Sequence, residues 1–186
     1  MNDNLSNSPL ETETATLGNG CFWCTEAIFQ KLNGVIKVTS GYSGGHVDHP
    51  DYKLVCTGTT GHAECLQVVF DTSTISFSDL LKVFFETHDP TTLNRQGEDI
   101  GTQYRSVIFF HNQDQKTIAD NYINELNKSG KYHSAIVTTL ELYDKFYPAE
   151  DYHQNYYELN GHNPYCQIVV RPKVEKFEKN YNNYCL

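Results

Sequence analysis

The order of strand-like and helix-like segments is the feature that most constrains the fold of this chain. A strand pattern ends in a glycine-rich turn, a helix follows, two strands come next, and a second helix leads into a fourth strand. This β-α-β-β-α-β order is that of the ferredoxin-like split unit. We therefore predict an α+β fold, a two-layer sandwich of helices on a sheet with a ferredoxin-like core.

The boundaries of the predicted elements follow from hydrophobic periodicity and from turn residues. The core elements are a strand at 15–17, a helix at 21–32, strands at 35–39 and 63–70, a helix at 78–87 and a strand at 104–110. Ser78 is the expected N-cap of the second helix, and residues 40–45 read as a turn. At the C-terminal side, a helix at 113–127, a strand at 135–140 and a helix at 150–159 extend this core.

Composition and charge limit the classes of function that this chain can have. Residues 1–14 are polar, which predicts a flexible N-terminal extension before a single domain at 15–186. The formal net charge is −9 and the basic residues are scattered, which argues against nucleic acid or an anionic membrane as a partner. No apolar run approaches the roughly 20 residues of a membrane helix, and the start lacks a signal-peptide pattern. We expect a cytoplasmic monomer.

Cys21 follows the turn Gly18-Asn19-Gly20 and stands where the first helix begins. Free N–H groups and the helix macrodipole favour an anion there, so we predict a thiolate whose pKa lies below the ordinary value of about 8.5. Phe22 and Trp23 offer an apolar wall for a small methyl-bearing substrate. The alternative is an inert cysteine among core aromatics, but the Cys-x-x-Cys spacing to Cys24 favours redox chemistry.

Several separated motifs, spread over about residues 17–173, resemble those of peptide methionine sulfoxide reductases that act on the S epimer. The matching segments are Gly20-Cys21-Phe22-Trp23, Gly41-Tyr42-Ser43-Gly44-Gly45, Gly61-His62-Ala63-Glu64, His88-Asp89-Pro90 and Arg95 through Ser106. The resemblance implies an oxidoreductase that reduces methionine sulfoxide, in oxidised proteins or as the free amino acid, and so repairs oxidative damage.

The same resemblance implies a nucleophile, an acid and a methyl pocket. Cys21 would attack the sulfoxide sulfur and become a sulfenic acid. Glu64 would protonate the sulfoxide oxygen, which requires a carboxyl whose pKa is raised by burial or by its neighbours. Phe22 and Trp23 would recognise the methyl group.

Three further residues receive roles from the family pattern. Tyr42 and Tyr104 would donate phenolic hydrogen bonds to the sulfoxide oxygen. Asp99, in the loop before Tyr104, would orient the polar network and hold the substrate backbone. We expect no bound cofactor and no metal.

A second thiol would condense with the sulfenic acid, and thioredoxin, or dithiothreitol in vitro, would reduce the resulting disulfide. Cys24 is three residues from Cys21, where helix geometry gives a Cβ separation of about 5–6 Å against the roughly 3.5–4.5 Å of a disulfide. Cys166 resembles the position of a recycling cysteine in many relatives, although it also precedes the strand-like segment 168–170. We rank Cys24 and Cys166 level and Cys185, beside the C-terminus, third.

Other classes of function use similar patterns. Cys21-x-x-Cys24 and His62-x-x-Cys65 have the spacing of zinc ligands. A thioredoxin-like disulfide oxidoreductase also carries Cys-x-x-Cys, and a non-catalytic module could keep the pocket to bind methionine-rich partners. Cys56 and Cys65 are expected to be bystanders, and the sequence gives no role to a thiol so close to Glu64.

Overall fold

Residues 11–185 are the part of the chain that the structure, a computed structural model, describes. The strands are β1 (Thr12–Asn19), β2 (Val35–Ser43), β3 (Ala63–Asp71), β4 (Arg95–Gln96), β5 (Asp99–Ile100), β6 (Ser106–Phe110), β7 (Thr139–Leu142) and β8 (Phe146–Pro148). The α-helices are α1 (Phe22–Phe29), α2 (Tyr52–Cys56), α3 (Phe77–Glu86), α4 (Gln113–Ser129), α5 (Tyr156–Asn160) and α6 (Arg171–Asn180).

Within these residues the main sheet has six strands in the order β7-β6-β1-β3-β2-β8. Neighbouring strands from β6 to β8 pair antiparallel, whereas β6 and β7 pair parallel, so the sheet is mixed. Strands β4 and β5 form a separate short hairpin. The predicted α+β class is confirmed.

Alternation along β3 divides its side chains between two cores, because successive strand residues point to opposite faces of a sheet. Leu66, Val68 and Phe70 belong to the main core, which α1 and α3 cover. Ala63 and Cys65 belong to a smaller cluster on the other face, together with Val107 and Phe109. Glu64 therefore lies on the same face as α1.

Several predicted boundaries in the first half are wrong. Strand β1 begins at Thr12, which pairs with Asp71, so residues 12–14 belong to the sheet and not to a flexible extension. The rest of the predicted extension, residues 1–10, lies outside the described residues. Strand β2 continues through the predicted turn to Ser43, since β3 and β8 pair with it on both edges.

The second helix begins earlier than predicted. Its N-cap is Ser76 and not Ser78, because Ser76 forms a reciprocal capping box with Asp79. Tyr104 closes a 3-10 turn, Thr102–Tyr104, and does not begin the strand that follows.

The C-terminal third departs most from the sequence prediction. The strand predicted at 135–140 begins at Thr139, and β8 was not predicted. The helix predicted at 150–159 is a 3-10 turn and then α5, separated at Asn155, whose φ is 53°. The strand-like residues 168–170 lie in a π-helical turn, Cys166–Val170, because Val170 packs into the helical core instead of joining a sheet. No helix within residues 11–185 is long and apolar enough to span a bilayer.

Candidate active site

A small cavity of about 80 Å³ opens at the N-terminus of α1. It is lined by Cys21, Phe22, Trp23, Tyr52, Glu64, Asp99, Tyr104 and Tyr165. The fold thus gathers residues from α1, α2, β3, the β4–β5 hairpin and the C-terminal segment around one thiol. Seven residues were placed by the sequence at the nucleophile, acid, oxygen-binding, backbone-binding and methyl-binding positions, and all but Tyr42 line this cavity.

The two cysteines of the Cys-x-x-Cys motif form a hydrogen-bonded pair in the first turn of α1. Cys21 is the N-cap, and the Cys24 N–H donates to the Cys21 carbonyl oxygen at 3.2 Å. The neighbouring Cys24 thiol raises the pKa of Cys21, and burial raises it further. The Cys21 thiol in turn lowers the pKa of Cys24, and the nearby ammonium of Lys173 lowers it further.

The predicted lowering of the Cys21 pKa is therefore wrong, because the neighbouring Cys24 thiol and burial both shift that pKa upwards. The Cys21 thiol and the ammonium of Lys173 instead favour the anionic form of Cys24, which also lies in the first turn of α1, where free N–H groups favour an anion.

Glu64 is held against the helix N-terminus by one backbone hydrogen bond. The Phe22 N–H donates to Glu64 Oε2 at 3.2 Å, and the residue is 2% exposed. Burial raises the pKa of Glu64 well above its ordinary value, and the charges of Cys21 and Asp99 raise it further, while the Phe22 N–H opposes the shift. These shifts favour the neutral carboxylic acid in the cavity that Glu64 shares with Cys21, and the neutral acid is the form that a proton donor needs.

Tyr42 is not where the sequence prediction put it. Its side chain is fully buried, its hydroxyl donates to Glu150 Oε2 at 2.9 Å, and its ring packs 5.8 Å behind that of Phe22. Tyr52 on α2 lines the cavity instead, opposite Tyr104. Burial raises the pKa of both lining tyrosines, so both hydroxyls stay protonated as donors near neutral pH. The sequence predicts a long loop around Tyr52, and no spacing to other residues marks this tyrosine as part of a site.

Asp99 and Tyr165 complete the polar side of the cavity. Asp99 begins β5, and burial raises its pKa although Lys173 opposes that shift. Tyr165 lines the cavity with Cys21 and Asp99, and its hydroxyl lowers the pKa of both groups. The sequence analysis did not assign Tyr165, and its only signal was its place beside Cys166.

An aromatic cluster supports the cavity wall. Trp23 stacks on Tyr156 with a centroid separation of 3.7 Å, and its Nε1–H donates to His153 Nδ1 at 3.1 Å. The Phe22 ring lies 5.2 Å from that of His153. These contacts fix both indole and phenyl rings, so the apolar wall is rigid before a ligand arrives.

Comparisons with known proteins identify the family. The family model described as peptide methionine sulfoxide reductase matches residues 13–184. The chain belongs to this family. A peptide methionine sulfoxide reductase MsrA from Saccharolobus solfataricus is 56% identical over 167 residues, which are 90% of this chain and 93% of that protein.

Solved structures agree with this assignment. Mxr1 from Saccharomyces cerevisiae in its reduced form is 34% identical, with a TM-score of 0.74 over 89% of this chain and 95% of that one. Mxr1 in complex with Trx2 is 28% identical, with a TM-score of 0.54 over 84% of this chain and 92% of that one. The protein is thus an oxidoreductase that reduces methionine sulfoxide, and the alternative of a thioredoxin-like disulfide oxidoreductase is excluded.

The remaining cysteines of the reductase lie in very different surroundings. Cys166 is fully buried near the Cys21 thiol, and burial raises its pKa. Cys185 pairs with Leu32, which follows the C-terminal end of α1, whereas Cys21 caps the N-terminal end of that helix. The eight residues of α1 alone separate its two ends by about 12 Å. The structure therefore brings Cys24 and Cys166, but not Cys185, to the reductase site.

Cys65 has a structural explanation. It lies on the face of β3 opposite to Glu64, is 1% exposed, and its thiol approaches the Gly41 carbonyl oxygen at 3.7 Å. It packs as a small apolar residue, although the sequence puts it beside the acid. The supposed zinc ligands consequently do not converge, since His62 Nε2 contacts the Val47 carbonyl oxygen at 2.7 Å and Cys65 faces away from Cys21.

Glu26 of the reductase stabilises the aromatic wall and does not reach the cavity. It is 1% exposed, and its carboxylate accepts the N–H groups of Asn155 and Tyr156 at 3.0 and 3.1 Å. These bonds join α1 to the segment whose Tyr156 ring stacks on Trp23. Burial raises the pKa of Glu26.

Proposed function

We propose that Cys21 and Glu64 are the nucleophile and the acid with which this reductase reduces methionine S-sulfoxide. The observation that carries this assignment is the hydrogen bond from the Phe22 N–H to Glu64, which holds a buried carboxyl of raised pKa in the cavity that Cys21 lines. The substrates would be oxidised proteins and free methionine sulfoxide. The preference for the S epimer follows from the family resemblance.

In the reductase step, the Cys21 sulfur bonds to the sulfoxide sulfur while Glu64 gives its proton to the oxygen. The sulfur–oxygen bond of the substrate then breaks and the oxygen bonds to the Cys21 sulfur, the bond between the two sulfurs breaks, and methionine leaves while Cys21 is a sulfenic acid. Cys21 loses two electrons and the substrate sulfur gains them. The proton that leaves the Cys21 thiol replaces the one that Glu64 donated to the oxygen.

Tyr52 and Tyr104 are the proposed donors to the sulfoxide oxygen. Both line the cavity as protonated phenols, whereas the Tyr42 hydroxyl is engaged by Glu150. Phe22 and Trp23 would enclose the methyl group, because their rings form the apolar side of the same cavity. Asp99 would hold the polar backbone of the substrate.

We assign the resolving role to Cys24. It lies in the first turn of the helix that Cys21 caps, its backbone N–H donates to the Cys21 carbonyl oxygen, and the Cys21 thiol and Lys173 lower its pKa. The Cys24 sulfur would attack the sulfenic sulfur of Cys21, the sulfur–oxygen bond would break, and hydroxide would leave and take up a proton as water. A thioredoxin would then reduce the disulfide by exchange, as the solved complex of the related Mxr1 with Trx2 suggests by analogy.

Single-turnover release of methionine tests the proposed function. The reduced enzyme is mixed with the S or the R epimer of N-acetylmethionine sulfoxide, without added reductant. We expect one methionine derivative per active site from the S epimer, and none from Cys21→Ser, whose hydroxyl is a poor nucleophile towards sulfur. Cys65→Ser is the matched control, since this buried thiol lies on the other face of β3. Substantial turnover by Cys21→Ser would overturn the assignment.

Two further parts of the interpretation are also proposals. The order β6-β1-β3-β2, with α1 and α3 as its crossovers, supports a ferredoxin-like core. An enzyme that thioredoxin keeps reduced fits a cytoplasmic location, a monomeric state and the absence of a bound cofactor.

A further inference from the structure

Helix α6 brings one positive charge to the Cys-x-x-Cys motif. Lys173 follows Cys24 by 149 residues, yet its Nζ lies 3.7 Å from the Cys24 Sγ. Helices α1 and α6 pack against each other, so this contact is part of the folded core arrangement and not of a free tail. Cys24 is 5% exposed, so few water molecules can solvate a charge on its sulfur.

We propose that Lys173 is a positioning residue that holds Cys24 as an anion, ready to attack the sulfenic acid on Cys21. This proposal rests on the proposed function, in which Cys24 resolves that acid. The ammonium supplies a counter-charge and an N–H donor at the buried sulfur, which a solvent-exposed lysine would not do. Lys173 touches neither the substrate nor the reacting oxygen and acts through Cys24.

The other ionisable groups around this contact do not replace Lys173. Asp99 of β5 is close enough to oppose an anion on Cys24, and Tyr165 from the C-terminal segment loses its proton only at very high pH. His88, which follows α3, also faces Lys173, but burial lowers its pKa to about 4, so it is neutral near pH 7. Lys173 therefore provides the cation at the Cys24 sulfur.

The charge matters at the second step of the cycle. The Cys24 thiolate forms a bond to the Cys21 sulfur, the bond from that sulfur to the hydroxyl oxygen breaks, and the leaving hydroxide takes a proton to become water. Lys173 keeps its own proton throughout and changes no oxidation state. Without Lys173, Cys24 would behave as an ordinary thiol, of which only a few per cent is ionised at pH 7. A thiolate of higher pKa is intrinsically more nucleophilic, so part of the loss of rate is offset. We therefore expect about a tenfold slower disulfide step without Lys173.

The experiment separates the two steps in one mixing reaction. The reduced full-length enzyme reacts with a stoichiometric amount of N-acetylmethionine S-sulfoxide and is quenched at intervals with acid and then an alkylating agent. Chromatography measures the methionine derivative, and peptide mapping measures the Cys21–Cys24 disulfide. Lys173→Met removes the charge, Lys173→Arg keeps it, and Lys176→Met is the matched control on the same helix, since both lysines line one groove of about 270 Å³.

Near pH 7, we expect the Cys21–Cys24 disulfide to form about tenfold more slowly in Lys173→Met than in the wild type, so that it lags further behind methionine release. The difference should vanish above about pH 9.5, where an ordinary thiol is ionised anyway. Lys173→Arg should recover most of the rate, and Lys176→Met should behave like the wild type. A wild-type disulfide rate and pH profile in Lys173→Met would overturn the proposal, as would equal losses in Lys173→Met and Lys176→Met.

Failure of the underlying function would look different. If the wild type released no methionine, the reductase assignment itself would fall. If it released methionine and Cys24→Ser still formed a disulfide of Cys21, another cysteine would be the resolver, and the role given to Lys173 would fall with Cys24.

Discussion

The backbone N–H of Phe22 donates to Glu64 Oε2 across 42 residues of sequence, at 3.2 Å. This single bond ties the helix that presents the nucleophile to the strand that presents the acid. Any substrate sulfur that reaches Cys21 therefore meets the Glu64 carboxyl as well. The predictions below follow from this geometry.

Glu64→Gln should slow the reductase step by about 10²–10⁴-fold, because the amide fills the same space but cannot transfer a proton to the sulfoxide oxygen. The wild-type rate should fall as pH rises through the raised pKa of Glu64, whereas the residual rate of the variant should lack that decline. Single-turnover methionine release between pH 5 and pH 10 measures both effects. Alkylation of the thiol pair should continue in Glu64→Gln, and an unchanged single-turnover rate would remove Glu64 from the mechanism.

The same substitution should change stability in a pH-dependent way. The folded state raises the pKa of Glu64, so the folded protein binds this proton more tightly than the unfolded chain does. The resulting stabilisation is complete below the unfolded carboxyl pKa of about 4.3 and is lost as pH rises towards the folded pKa. Thermal unfolding should therefore show Glu64→Gln gaining stability relative to the wild type as pH increases. A difference in melting temperature that stays constant from pH 5 to pH 9 would contradict this reasoning.

Tyr52→Phe and Tyr42→Phe should have opposite consequences. Removing the Tyr52 hydroxyl takes a donor from the cavity, so we expect slower methionine release with little change in unfolding free energy. Removing the Tyr42 hydroxyl takes away its bond to Glu150, which should cost about 1 kcal/mol of stability and leave the rate near normal. Single-turnover kinetics and urea unfolding of both variants check this contrast. A larger kinetic defect in Tyr42→Phe than in Tyr52→Phe would restore the original sequence prediction.

Thioredoxin-dependent turnover should identify the resolving cysteine. Cys24→Ser should release one methionine and then stall with thioredoxin, because no disulfide forms, whereas dithiothreitol should rescue it by attacking the sulfenic acid directly. Cys185→Ser should recycle normally, since Cys185 packs beyond the far end of α1. Cys166→Ser is the informative comparison, because its thiol is buried near Cys21. If only Cys166→Ser stalled with thioredoxin, the assignment of Cys24 would be wrong.

Glu26→Gln should weaken the aromatic wall without touching the reacting atoms. The amide can accept only one of the two N–H groups of Asn155 and Tyr156, so the stacking of Tyr156 on Trp23 should loosen. We expect a higher KM for the sulfoxide, with a smaller change in kcat, and altered tryptophan fluorescence. Trp23 is the only tryptophan in the chain, which makes that signal unambiguous. An unchanged emission spectrum would show that the stack does not depend on Glu26.

Local sequence was sufficient for the elements that carry the nucleophile. The glycine turn before Cys21 and the alternation of β3 are each encoded within about ten residues, so the helix start and the strand of Glu64 were predicted to within two residues at the start of each. The family motifs identify the type of reaction, because the family is recognised by which short segments occur together in one chain. Both the local patterns and the family motifs can be read directly from the amino-acid sequence.

The tertiary structure alone decided which tyrosine faces the substrate cavity and which thiol lies beside a cation. Tyr42 and Tyr52 are ten residues apart and chemically identical, but the pairing of β2 with β3 and β8 buries the first against Phe22, while α2 turns the second into the cavity. The cation beside Cys24 is Lys173, which α6 brings from 149 residues away. Burial and electrostatic fields are sums over neighbours in space, and the sequence fixes those neighbours only through the complete fold.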